Sequence, residues 1–142
     1  MESSMANWLT DIGIEGTTLM QLLFSLMLSI LFIQSGLDKV FNWKGEKDFY
    51  TDHFKKSILK GTVPLLMPII TISELAAGFL SGIGFFVLLF TGNTALGELG
   101  ALIACLAIIQ LFFGQRIAKD YAGAATLGPY FFLAAVGLYW YL

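Results

Sequence analysis

Four long apolar stretches dominate this sequence, and they constrain its fold more than any other feature. They cover about residues 17–36, 64–90, 95–114 and 122–142. An α-helix needs about 20 consecutive apolar residues to cross a bilayer core about 30 Å thick. Because lipid offers no hydrogen-bond partners, such segments must pair their backbone groups within helices. The sequence therefore predicts an all-α, integral membrane four-helix bundle.

The composition agrees with this prediction and argues against several function classes. Hydrophobic residues make up 57% of the chain and charged residues only 13%, whereas soluble domains carry about 25% charged residues. At 142 residues we expect one transmembrane domain, 1–142. The net charge of −2 argues against a nucleic-acid partner, which requires a concentrated basic surface. One cysteine cannot form an internal disulfide or a thiolate metal cage.

All eight basic residues fall between the predicted helices, and always on the same side of the bundle. Lysines fill the charged loop 37–63, and Arg116 and Lys119 lie between the third and fourth helices. Loops rich in Lys and Arg stay on the cytoplasmic side of a membrane. We therefore predict a multi-pass protein with both termini on the outer side. Because residues 1–16 carry no Lys or Arg, we expect no cleavable signal peptide.

Prolines complicate the second and fourth helices. Pro68 would clash with the carbonyl of Pro64 and cannot donate to it. We therefore expect the regular part of helix two to begin near Pro68, after an irregular turn over residues 63–67. A fourth helix that began at Pro129 would span only roughly 21 Å, too short to cross. We expect this helix to begin earlier and to kink near Gly128 and Pro129.

The charged loop contains a helical pattern of its own. One face of a helical wheel carries Phe49, Tyr50, His53, Phe54 and Ile58, and charged residues lie opposite. This pattern predicts a short amphipathic helix in the loop between helices one and two. Two interpretations stay open. The helix lies on the inner membrane surface, or it folds back as a cap on the bundle.

Glu74 is the main candidate for a functional residue. It lies roughly 9 to 15 Å inside the membrane, where an ionisable group is costly unless it has a partner. Gln34, Gln110, Lys39 and Arg116 are the candidate partners. Two interpretations stay open: an intramembrane polar site formed by Glu74, Gln34 and Gln110, or a structural clamp between helices.

Charged residues also end helices one and three, at Asp38, Lys39, Arg116 and Asp120. Basic side chains at helix carboxyl ends interact favourably with the helix dipole, which is a sufficient explanation for Lys39 and Arg116. The alternative is a charged cluster that closes the inner mouth of the bundle.

Small residues recur at the spacing that brings membrane helices together. The candidate packing positions are Gly36, Gly78, Gly82, Gly97 and Ala101. Gly78 and Gly82 form a GxxxG pattern, and Gly97 and Ala101 repeat at the same spacing. Glu74 shares a stripe with Gly78 and Gly82, so we expect it to face another helix rather than lipid.

The sequence lacks the residue sets that most catalytic and cofactor sites require. His53 is the only histidine, which argues against haem because a bis-histidine haem cannot form within this chain. We find no carboxylate–histidine metal pattern, no phosphate-binding glycine loop and no serine with a partnering base. We therefore predict no catalytic residue and no metal site. The chain alone is not expected to be a self-contained enzyme.

Two segments resemble the DoxX-like family of small four-helix bacterial membrane proteins. Ser29–Lys39 is an apolar run that closes in a Gly-x-x-Lys element, as is typical of the family. Glu74–Gly78 followed by Gly82 is similar to the family's Glu-x-x-x-Gly and second glycine. The resemblance covers about residues 20–142 and implies a four-helix bundle in the bacterial inner (plasma) membrane. In that membrane, the outer side predicted for both termini is the periplasm. The positions that the resemblance marks are Gly36, Lys39, Glu74, Gly78 and Gly82.

Some members of this family are subunits of thiosulfate:quinone oxidoreductases or are linked to terminal quinol oxidases. Members that use cysteine pairs fit poorly, because only Cys105 is present. The leading hypothesis is an accessory or structural subunit of a larger membrane complex, respiratory or quinone-linked, without turnover alone. Its partners would be the lipid bilayer and other membrane subunits.

Two alternatives to an accessory subunit stay open. One is a quinone-binding redox subunit, with quinone as its cofactor and Glu74 and Gln110 at the polar end of an apolar pocket. The other is a small-solute or proton transporter that uses Glu74.

Overall fold

The computed structural model describes residues 4–142. Residues 1–3, which belong to the segment 1–16 that was considered as a signal peptide, lie outside that range. The helices are α1 (Ser4–Asp11), α2 (Gly16–Phe41), α3 (Trp43–His53), α4 (Val63–Thr91), α5 (Ala95–Ile117), α6 (Tyr121–Thr126) and α7 (Gly128–Tyr141). Four spans in this range are long and apolar enough to cross a membrane: α2, α4, α5 and the pair α6–α7. No strand occurs between residues 4 and 142. The predicted all-α, integral membrane four-helix bundle is confirmed.

The bundle is organised around α4, which packs along α2 on one side and along α5 on the other. The fourth span, α6–α7, closes the bundle against α2 and α5. The central core contains Leu28, Phe32, Ala77, Ala104, Ile108 and Ala134. Half of these side chains are alanines, so the helix backbones approach one another closely.

Two helices continue beyond the ends of their apolar runs. The first span ends at Phe41 instead of residue 36, and α5 ends at Ile117 instead of residue 114. The hydropathy pattern locates where a helix leaves the apolar core, but the backbone remains helical while its side chains still have partners. Lys39, in the last turn of α2, is buried against α4 and stabilises this extension.

The irregular turn predicted for residues 63–67 is wrong. Helix α4 begins at Val63, with Pro64 in its first turn and Pro68 inside the helix. A proline is tolerated in the first turn because its missing N–H has no intrahelical acceptor there. The N–H groups of Leu65 and Leu66 both donate to the carbonyl of Thr62, at 3.0 and 2.9 Å, and hold that turn. Only the Pro64 carbonyl loses its helical donor to Pro68.

The early start and the kink predicted for the fourth span are confirmed. The span begins at Tyr121 and is interrupted at Leu127, directly before Gly128 and Pro129. Asp120 caps α6 by accepting a hydrogen bond from the Gly123 N–H at 2.9 Å. The Leu127 N–H donates to the Ala124 carbonyl at 3.1 Å, and Pro129 has no N–H to offer the Ala125 carbonyl. The Phe131 N–H then donates to the Leu127 carbonyl at 2.9 Å, so the helical bonding resumes in α7.

Glycines occupy the closest approaches between the helices. A Cβ added at Gly78 would lie 2.6 Å from the backbone nitrogen of Ile33 on α2. Gly36 is covered by Leu75, and Gly82 lies against Ser29. On α5, Gly97 contacts Tyr141 of α7, and Ala101 is buried in the core. The small residues therefore mediate contacts within this bundle.

We expect Gly78→Ala to destabilise the bundle by about 1–3 kcal/mol, because the added methyl group must push α2 away from α4. Gly16→Ala is the matched control, since a Cβ at Gly16 meets no atom within 4 Å. Its effect should stay within about 0.5 kcal/mol. Unfolding in detergent, followed by circular dichroism, measures both variants. Equal stability of the two would contradict the close α2–α4 contact.

Candidate functional site

Glu74 lies in the interior of the bundle, on the side of α4 that faces α2. It is 11 residues from the start of α4, which places it roughly 16 Å along the helix axis. Only 1% of its surface is exposed. A carboxylate at this depth requires compensation, because burial in a low-dielectric medium disfavours its charged form.

Two residues of α2 supply that compensation. The Lys39 ammonium lies 2.9 Å from Glu74 Oε2, and both side chains are more than nine-tenths buried. The Ser35 hydroxyl donates to Glu74 Oε1 at 2.8 Å. Lys39 Nζ also donates to Ser35 Oγ at 3.4 Å, across one turn of α2. The three side chains form a neutral cluster, here called the Ser35–Lys39–Glu74 clamp.

The two carboxylate oxygens of Glu74 are satisfied differently. Oε1 accepts a hydrogen bond from Ser35, whereas Oε2 receives no hydrogen bond from the described residues. Its 2.9 Å contact with Lys39 is therefore an ion pair without hydrogen-bond angles. The attraction does not depend on those angles, because opposite charges attract in any orientation and more strongly away from water. Oε2 keeps the capacity to accept one further donor.

Glycines on both sides of the clamp allow it to form. Gly36 lies next to Ser35 on α2, and Gly78 is one turn beyond Glu74 on α4. With no Cβ at either position, the two helix axes approach closely enough for a glutamate and a lysine to meet. The positions that the DoxX-like resemblance marks therefore lie along one face of contact between α2 and α4.

The predicted polar site of Glu74, Gln34 and Gln110 does not form. Gln34 is exposed on α2, since successive residues of a helix point about 100° apart and Ser35 faces α4 instead. Gln110 is also exposed, and its Nε2 donates to Ser73 Oγ at 3.3 Å. Ser73 and Glu74 are neighbours in sequence but face different helices. The structural-clamp interpretation fits this geometry better.

The four charges that were predicted to close the inner mouth of the bundle do not form a cluster either. Asp38 is exposed, while Lys39 turns inward to Glu74. The Arg116 guanidinium lies 4.5 Å from the centre of the Tyr121 ring, a favourable cation–π contact. Asp120 caps α6. Each charge has a local partner or faces outward, so local interactions are sufficient to explain all four.

A second polar contact, which the sequence did not predict, ties α3 to the end of α5. His53 Nε2 lies 3.0 Å from Gln115 Oε1 and 3.7 Å from Asp120 Oδ2. His53 was singled out as the only histidine, but no local pattern identifies partners 62 and 67 residues away. These contacts fix the carboxyl end of α3 against the bundle.

The amphipathic helix predicted in the loop is α3, and its second half folds back on the bundle. Phe54, directly after α3, is buried against Val63 and Met67. Phe49 stays 60% exposed, and Ile58 lies beyond the helix and is 82% exposed. The structure therefore favours the cap interpretation for the carboxyl end of α3, with the other apolar side chains left on the surface.

Beneath this cap lies a cavity of about 210 Å³ between α3, α4 and α5. It is lined mainly by apolar side chains, and His53, Gln110, Gln115 and Tyr50 are the polar residues of its lining. Burial raises the pKa of Tyr50 above its ordinary value and outweighs the opposite effect of the Lys39 charge. The phenol is therefore neutral at physiological pH. Glu74 does not line this cavity.

Within residues 4–142, no group of three or more His, Cys, Asp or Glu side chains is arranged to hold a metal ion. Cys105 is a free thiol buried in the core beside Ala101 and Ala104. In these apolar surroundings Cys105 acts as a small side chain that fills space between the helices.

No protein family matches the sequence, and no curated protein and no solved structure matches it either. The function must therefore be argued from the geometry of the chain itself. Its most deeply buried charges form a neutral pair that joins two helices, which is an arrangement suited to holding a structure together.

We expect Glu74→Gln to lower the free energy of unfolding by about 3 kcal/mol or more, because Lys39 would remain buried without its counter-charge. The double variant Lys39→Met/Glu74→Leu should recover most of this loss, since it removes both charges. Asp38→Asn is the control for loss of one exposed carboxylate and should unfold like the native protein. Detergent-denaturation curves at pH 7 compare the four proteins. If Glu74→Gln is as stable as Asp38→Asn, the clamp does not hold the bundle together.

Proposed function

We propose that this protein is a DoxX-like accessory subunit that supports a larger complex in the bacterial inner membrane and has no turnover of its own. The observation that carries this proposal is the incomplete burial of the fourth span. Only 17% of its apolar window is buried inside the bundle, against 33–39% for the other three spans. A helix with so few contacts in its own chain has a large surface available for another protein.

The chemistry of this exposed surface supports the proposal. Tyr130, Phe131 and Phe132 project from the start of α7, and Phe132 is 72% exposed. Aromatic side chains are enriched where protein interfaces are most fully buried. Lipid also accepts such side chains, so the experiment below compares α7 with another lipid-facing helix.

The clamp also supports an accessory role over the two alternatives. A proton pathway through Glu74 needs a carboxylate that a water chain can reach, whereas Glu74 is only 1% exposed and lies 2.9 Å from Lys39. A quinone site with Glu74 and Gln110 at one polar end needs the two side chains together, and they face different helices. We therefore retain the accessory role as the proposed function. The association with respiratory or quinone-linked complexes rests on the DoxX-like resemblance.

The distribution of charge supports the proposed orientation. Lys39 and Arg116 lie at the same end of the bundle as α3, and the three lysines of the turn after it, Lys55, Lys56 and Lys60, add to that charge. By the positive-inside rule we place this end in the cytoplasm and both termini in the periplasm.

Affinity purification from native membranes in mild detergent tests the accessory role. We expect stoichiometric co-purification of other membrane subunits, identified by mass spectrometry. Phe132→Ala should reduce their recovery severalfold, because truncating a buried aromatic anchor is costly. Phe86→Ala removes an equally large side chain that is 58% exposed on α4 and should leave recovery unchanged. A solitary protein, or equal losses in both variants, would refute the proposal.

Cysteine labelling in intact cells tests the orientation. In a Cys105→Ser background, Asn93→Cys reports the turn between α4 and α5, and Lys56→Cys reports the turn after α3. A membrane-impermeant maleimide should label Asn93→Cys before lysis and Lys56→Cys only after lysis. The reverse pattern would show that the bundle is inverted.

A further inference from the structure

The cavity under α3 has the shape and lining of a site that opens to the bilayer. Its walls come from α4 and α5, including Leu66, Ile70 and Leu111, and Phe54 and Leu59 form its floor on the α3 side. Ile69 and Phe113 also line it, and they are 46% and 56% exposed on the lipid-facing surface. An apolar molecule already in the membrane would therefore reach the cavity sideways, without crossing water.

The turn after α3 carries positive charge close in sequence to two residues that line this cavity. It spans residues 54–62 and carries Phe54 and Leu59 into the cavity lining. Lys55 in the same turn pairs with Asp52 at 2.9 Å, which lowers the pKa of that carboxyl. Lys56 and Lys60 are exposed, and neither has a carboxylate within salt-bridge distance in the described part of the chain.

We propose that the cavity binds one acyl chain of an anionic phospholipid, whose phosphate is held by Lys56 and Lys60. The apolar lining suits an acyl chain and excludes the charged headgroup. Lys56 lies two residues after Phe54 and Lys60 directly follows Leu59, so the same short turn provides the charge for the headgroup and the surface for the chain. Basic residues next to membrane spans attract anionic lipids by about 1 kcal/mol for each charge.

One polar side chain inside the cavity is also suited to such a lipid. Gln115 uses its Oε1 for the contact with His53. Its amide N–H groups remain able to donate to an ester carbonyl at the boundary between headgroup and chain. A bound lipid would thus contact α3, α4 and α5 together, and it would stabilise the folded-back position of α3. Lipid binding at this cavity does not require the protein to be an accessory subunit.

Native mass spectrometry of the full-length, delipidated protein in nonionic detergent tests the proposal. The probes are phosphatidylglycerol and phosphatidylcholine with identical acyl chains. We expect one molecule of phosphatidylglycerol to bind, with an affinity at least tenfold higher than that of phosphatidylcholine. Equal binding of the two lipids would overturn the role of the lysines and, with it, the proposal.

Two pairs of variants separate the two parts of the site. Lys56→Gln/Lys60→Gln should weaken phosphatidylglycerol binding roughly 30-fold, from two surface charges, and Lys44→Gln/Lys47→Gln removes the same charge elsewhere and should not. Leu66→Phe fills the cavity and should also weaken binding, whereas Leu65→Phe is the control because Leu65 is 67% exposed and does not line the cavity.

Equal effects within either pair would overturn the proposal, since binding would then follow total charge or total apolar surface. Preferential binding of oleate over phosphatidylglycerol would also overturn it, in favour of a free fatty acid. Circular dichroism confirms that each variant is folded. The lysine variants are on the surface, so the headgroup test stands even if Leu66→Phe does not fold.

Discussion

The rest of the bundle depends on the contact between α2 and α4. This contact brings the two helix backbones close together, and it also buries two opposite charges away from water. Lys39 and Glu74 lie 2.9 Å apart, and Ser35 shares the carboxylate. Gly36 and Gly78 remove the side chains that would otherwise keep the helices apart. The glycines let the helices come close enough for the two charges to meet. The ion pair in turn fixes which residues of α2 and α4 lie opposite each other. Helix α5 then packs on the other side of α4, and the fourth span closes on α2 and α5.

The sequence could predict the membrane spans but not all of their boundaries or contacts. The spans were predictable because hydropathy over about 20 residues reflects the thickness of a membrane. The kink before Pro129 followed from span length. Residues 63–67 were predicted incorrectly because Pro64 falls in the first helical turn, where a proline is harmless, and only the true start of α4 reveals this. A hydropathy pattern cannot locate the first residue of a helix to within one position.

The candidate site shows a similar limit. That Glu74 faces another helix followed from its stripe with Gly78 and Gly82, and Lys39 was among its proposed partners. Gln110 was also proposed as a partner, but it donates to Ser73 instead. The sequence does not show that α5 packs on the side of α4 opposite Glu74. The contact of His53 with Gln115 joins residues far apart in sequence, so no local pattern indicates it. Helical periodicity gives the angle of a side chain but not the neighbour that it meets.

The clamp also has a consequence for how the chain enters the membrane. Its two charges belong to different spans, and the span that carries Glu74 would hold an unpaired ionisable group near the bilayer core if it were inserted alone. Lys39 lies near the end of α2, where a long side chain can extend to the headgroups until its partner arrives. Glu74 lies deeper and has no such route. The first two spans are therefore best inserted together as one helical hairpin, with α3 in the segment that joins them, and the ion pair would close as that hairpin leaves the insertion machinery.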